Sequence, residues 1–178
     1  MFPIRDHNPS ERIPYVTYGL LALNIVIWIY GAAFITTDAD VSTLYFNYAM
    51  IPRVISSGEH YATLVTATFL HAGFMHLAGN MLFLWIFGDN MEDEMGHMGF
   101  LAFYLMSGLL AGLSHVVFAP GSAVPTVGAS GAIAGVMGGY LLLFPRAKVD
   151  ILLIIVIFFR VFTLPAWIML AIWFGMQA

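Results

Sequence analysis

The chain has 178 residues, of which 61% are hydrophobic and only 9% charged. A soluble domain carries about 25% charged residues, so composition excludes an ordinary soluble protein and points to a polytopic membrane protein. The net charge of −4 offers nothing basic for a nucleic acid, and the absence of cysteine excludes disulfides, thiolate metal sites and a cysteine nucleophile.

The length allows five or six spans of ~20 residues in one compact bundle, so residues 1–178 are expected to form a single domain. The N-terminal "MFPIRDHNPSERIP" is polar and mixed in charge, and the apolar run from Tyr15 to Phe34 reads as a retained first span rather than a cleaved signal peptide. From about Thr36 to Gly73 runs a long semi-polar connection. Its apolar pieces, Tyr45 to Ile51 and Tyr61 to Leu70, are too short to cross and are expected to lie at the interface or re-enter the bundle. Met75 to Phe87 is the core of a second span, closed by the acidic "GDNMEDEMG"; Phe100 to Phe118 is a third, followed by the Pro/Gly turn "APGSAVP". Ser130 to Phe144 is a fourth, only about 15 residues or roughly 22 Å long.

The tail has two readings. As one helix from Val149 it buries Arg160 near mid-bilayer, at ~2.5–3.5 kcal/mol on insertion scales. Split at Pro165, "VDILLIIVIFF" is a β-branched, aromatic segment suited to an extended interfacial conformation, and "PAWIMLAIWFGMQA" opens a new helix with proline in its first turn. The split spares Arg160 and is preferred. The final helix then spans only ~21 Å, short of the ~30 Å hydrocarbon core. An N-terminus in the cytoplasm places Arg5, Arg12, Arg146, Lys148 and Arg160 inside and only Arg53 outside. Ser130 then lies toward the outer face.

Two clusters could carry chemistry. In "FLHAGFMHLAGN", His76 and Asn80 are four apart and share a helix face. Interhelical hydrogen-bond glue is the plain reading. His76 with His115 as haem ligands is another, whereas no acidic residue or cysteine completes a zinc set. A third is an oxyanion hole, since both side chains can donate to a developing negative charge. In "TVGASGAIAGVMGG", Gly131, Gly135 and Gly139 have small-xxx-small spacing for close helix packing. Ser130 heads that run, where helix amides favour an anion.

Taken together, "HAGFMHLAGN" and "GASG" resemble the rhomboid family of intramembrane serine proteases, in which an H-x4-H-x3-N motif opens the second transmembrane helix and G-x-S-G the fourth. The segment "MLFLWIFGDNMEDEMGHMGFLAFYLMSGLLAG", with Glu92 and Gly96 in an E-x3-G pattern, and the later "LPAWIMLAIWF" are similar to the family as well. The resemblance implies an all-α, rhomboid-like helical bundle, with five spans here of an expected six. It implies Ser130 as nucleophile and His76, Asn80 and the Ser130 amide as oxyanion hole. His71 is implied as a supporting residue, with Gly128 and Gly131 flanking the serine, and residues 36–73 as a membrane-embedded lateral loop. No metal or cofactor is implied, and the substrates would be transmembrane segments of other proteins in the lipid bilayer of a bacterial cytoplasmic membrane. The family's general base is a histidine on the sixth helix, but all six histidines here (His7, His60, His71, His76, His97 and His115) precede Ser130. Two expectations follow: a longer native protein that supplies the base, or a non-catalytic relative that binds transmembrane clients.

Overall fold

A segment facing lipid has to satisfy its own backbone amides, and a helix does so within one segment. The computed structural model describes residues 2–155 and 158–177, and in it the first apolar run is helix α1 (Tyr15–Phe34). The long connection folds into short helices. These are α2 (Asp38–Tyr48), held at its start by a capping box between Thr37 and Asp40, then α3 (Pro52–Ser56) and α4 (Thr63–Thr66), which runs into a tight turn at Ala67–Phe69.

Helix α5 (Phe74–Phe118) is two arms joined at Gly96, whose φ of +69° is in the range that favours glycine. Met91 and Phe103, on opposite sides of Gly96, both lie against Gly139, so the second arm folds back along the first. Beside the bend, Glu92 is 1% exposed. Its carboxylate accepts from the amides of Val16 (2.8 Å) and Thr17 (2.7 Å), from the Thr17 hydroxyl (2.8 Å), and pairs with His97. The first amides of α1 lack intrahelical acceptors, and Glu92 supplies one from α5.

Helix α6 (Ser130–Leu143) packs along the second arm of α5. A Cβ on Gly131 would sit 2.6 Å from Ala111 Cβ, one on Gly135 would collide with Ser107, and one on Gly139 would sit 3.2 Å from Phe103 Cζ. Each step of four up one helix is a step of four down the other. This is an antiparallel seam of small residues, as their spacing predicts.

The expectation of an all-α fold needs one correction. Strand β1 (Phe2–Asp6) pairs antiparallel with β2 (Lys148–Ile155), which pairs with β3 (Phe158–Pro165), giving the order β1-β2-β3. The split reading of the tail holds: Pro165 ends β3 and α7 (Ala166–Gln177) begins after it. Val156, Ile157 and Ala178, included in that reading, lie outside the described residues. The sheet forms because the β-branched hairpin leaves the edge of β2 open, and the polar N-terminal segment pairs with it. Val149, Ile151 and Ala166 are buried in the same core as Phe87, Met91, Tyr140 and Leu170, so the sheet closes one end of the bundle.

Helices α1 and α5 are long and apolar enough to cross a bilayer; α6 is a shorter apolar helix. Arg5, Lys148 and Arg160 lie on the sheet, and Arg12 sits 3.7 Å from Asp93 near the α5 bend. Arg53 is at the other end, its amide bonded to the Ser122 carbonyl just before α6.

Candidate active site at the head of α6

Ser130 is the first residue of α6, and no side chain caps that end. The opening amides of a helix have no intrahelical acceptor and form the positive end of its dipole. Ser130, Gly131 and Ala132 border a cavity of about 190 Å³. Its other walls are Met50, Leu64, Ala67 and Thr68 from the connection, Gly108, Ala111, Gly112 and His115 from α5, and Thr126, Val127 and Gly128.

The approach to Ser130 is held by main-chain bonds to the connection. Met50 and Thr126 exchange both bonds (3.0 and 2.8 Å), Arg53 donates to Ser122 (2.9 Å), and Gly128 donates to the Ala67 carbonyl (2.9 Å). Residues 36–73 therefore set the position of the serine as well as crossing the surface.

His76 is on the first arm of α5 and faces the backbone just ahead of the serine. Gly128 has φ +126°, and a Cβ there would fall 2.7 Å from both Cε1 and Nε2 of His76. The imidazole is thus seated in the space that glycine leaves. His71 is 9% exposed and stacks edge-on to His76 at a centroid distance of 5.1 Å. Its Nε2 is the acceptor facing the Ala129 amide at 3.5 Å. Asn80 is 7% exposed, and its Nδ2 donates to the His76 carbonyl one turn back at 2.9 Å. One of its two N–H donors is thereby engaged, which leaves the second available to a charge at Ser130.

The structure brings Ser130, Gly128, His76 and His71 together around the turn at the head of α6, with Asn80 one turn behind His76. His115 has no counterpart in the motifs, yet it borders the same cavity as Ser130. A signal for it existed in the chain. Phe103, Ser107 and Ala111 face the α6 glycines at steps of four, and His115 is the next step, level with the residues that precede Ser130.

A rhomboid domain model matches residues 58–178, well over half of the chain. The chain belongs to the rhomboid family. As a rhomboid it is an integral membrane protein. Rhomboid-like protein 11, chloroplastic, of Arabidopsis thaliana is 31% identical over 74% of the chain and 43% of its own length. Rhomboid protease GluP of Bacillus subtilis is 36% identical over 72% of the chain and 24% of its own length. Putative rhomboid protease YdcA of the same bacterium is 35% identical over 78% of the chain and 68% of its own length. The chain thus spans less than half of the first two rhomboids and about two thirds of the third.

Proposed function

We infer that this rhomboid is an intramembrane serine endopeptidase with Ser130 as nucleophile. The observation that carries the reading is the placement of Ser130 at an uncapped helix start, beside a cavity and next to an imidazole seated on Gly128. In the reaction, Ser130 Oγ attacks a peptide carbonyl and its proton passes to a base. The negative charge forming on the carbonyl oxygen meets the Ser130 amide, the His76 ring N–H and the Asn80 N–H that the His76 carbonyl leaves free. Such donors act strongly where water is scarce. His71 holds the turn through Ala129, and no metal or cofactor takes part.

The substrates are transmembrane segments. Helix α6 has 14 residues, about 21 Å at 1.5 Å each, against a hydrocarbon core of ~30 Å. With the sheet end in the cytoplasm, Ser130 lies below the outer boundary of the membrane, level with the backbone of a client helix. A bacterial cytoplasmic membrane fits the likeness to the two Bacillus rhomboids.

The test is cleavage of a transmembrane reporter by the full gene product in liposomes. Ser130→Ala abolishes it, and Asn80→Ala lowers kcat by about 10²–10³-fold with KM little changed. Cleavage that survives Ser130→Ala refutes the reading. A second reading is a non-catalytic binder of transmembrane clients. It predicts crosslinking of the reporter without cleavage.

A further inference from the structure

The β2–β3 hairpin changes character along its length. At its base the outer face is polar: Asp150 accepts from the Thr163 hydroxyl at 2.6 Å and pairs with His7 at 2.9 Å, and Arg5 lies opposite Asp150 in the register. The inner face at the base is buried against the bundle through Val149 and Ile151. Strand β1 reaches only as far as Leu152. Beyond that pair the hairpin continues as a two-stranded ribbon to Ile155 and Phe158, about 10 Å further at ~3.3 Å per residue. From 152 to 161 the chain reads "LLIIVIFFRV", with Arg160 its one charge.

The bundle leaves β3 uncovered already at the last levels that β1 pairs. Phe162 shares the inner face with Ile151 across the ladder, yet Phe162 is 46% exposed where Ile151 is 1% exposed. Val161, on the opposite face, is 56% exposed. A two-stranded apolar ribbon is marginal in water and invites edge-to-edge association. The hydrocarbon core is no better, because both ribbon edges carry unpaired backbone groups. The headgroup boundary provides apolar contact together with polar partners for the edges.

We propose that the β2–β3 hairpin lies in the cytoplasmic headgroup boundary of the membrane, Val161 and Phe162 against acyl chains and Arg160 at anionic lipid phosphates. The hairpin leaves the bundle between α6 and α7, so it emerges at the membrane surface, and the face that closes the bundle end continues outward past its rim. Arg5, Arg146, Lys148 and Arg160 are all in or next to the sheet, which complements an anionic leaflet. A long arginine stem reaches phosphate while its methylenes stay against lipid. The hairpin thereby holds the base of α6, the helix that carries Ser130. The proposal rests on the membrane orientation given under the proposed function.

Residues 1–178 contain no cysteine, so single spin labels can be placed there in the full gene product after any cysteine outside them is replaced by serine. Labels go at Val161→Cys, Phe162→Cys, Lys148→Cys on the hairpin base, and Val26→Cys on the exposed face of α1, in phosphatidylcholine vesicles containing phosphatidylglycerol. The expected result is collision with oxygen exceeding collision with an aqueous nickel chelate at 161, 162 and 26, and the reverse at 148. Chelate access at 161 and 162, with 26 still lipid-facing, overturns the hairpin proposal and leaves the membrane reading intact. Chelate access at 26 removes the membrane reading itself. Dipolar broadening at 161 or 162 shows a second copy paired along β3, and shielding from both reagents shows a protein partner; either also overturns the proposal.

Discussion

Gly128 couples the loop before α6 to His76. Its φ of +126° already disfavours a side chain, and a Cβ would fall 2.7 Å from two atoms of the His76 ring. Gly128→Ala is expected to displace the imidazole, and a misplacement of about 1 Å in a catalytic site costs about 10²-fold in rate. The same substitution should destabilise the fold by about 1–3 kcal/mol through backbone strain. Reporter cleavage and thermal unfolding check the two effects separately, and a wild-type rate in Gly128→Ala removes the assigned role of this contact. At the other end of α6, the Tyr140 hydroxyl donates to Asp6 at 2.9 Å and accepts from Asn8 Nδ2 at 2.7 Å. Burial raises the Asp6 carboxyl from 3.8 to about 6, against the Tyr140 hydrogen bond, with the nearby Asp89 charge adding to the rise. A folded-state value above the unfolded one means that ionising Asp6 opposes folding. The penalty is absent near pH 4, grows as pH rises to about 6 and is complete above it. Asp6→Asn keeps an acceptor for Tyr140 without the charge, so its gain in Tm over wild type should widen from pH 4 to 6 and then level off. A gain that is flat with pH contradicts the shift.

At the scale of elements, the α5–α6 seam is the interface that sets the height of Ser130. Gly135 leaves no room for even one carbon against Ser107, and inserting side-chain volume into a packed interface costs about 1–3 kcal/mol. Gly135→Leu should lower stability in detergent by at least about that much and reduce cleavage, because Ser130 moves with the helix; unfolding at the wild-type midpoint contradicts the seam. This seam was legible in the sequence because its spacing is local, as were the ends of α1 and the break at Pro165. The turn at Gly96 was legible as an acidic interruption, though not as a left-handed glycine joining two arms of one continuous segment. The sheet was not legible in full. The β-branched hairpin advertised itself, but its partner "FPIRD" has no strand pattern of its own and pairs only because β2 leaves an edge open more than 140 residues away. Asn80 shows the same limit in the site. Its type and spacing suggest an oxyanion donor, whereas which acceptor takes one of its two N–H groups at rest depends on rotamer and packing.

Across the whole molecule, the chain divides its work between two ends. One end is closed by the sheet and by Glu92, which locks α1 to the α5 bend, and it carries most of the basic residues. The other end holds Ser130 between the connection, whose main chain bonds residues 122–128, and the second arm of α5. The connection thus fixes the backbone ahead of Ser130 while the glycine seam fixes its helix. The proposed nucleophile Ser130 is tested by reaction of the full gene product in liposomes with a fluorophosphonate. One adduct is expected, located at Ser130 by peptide mass spectrometry and absent in Ser130→Ala. Labelling that persists in Ser130→Ala, or an adduct on another residue, contradicts it.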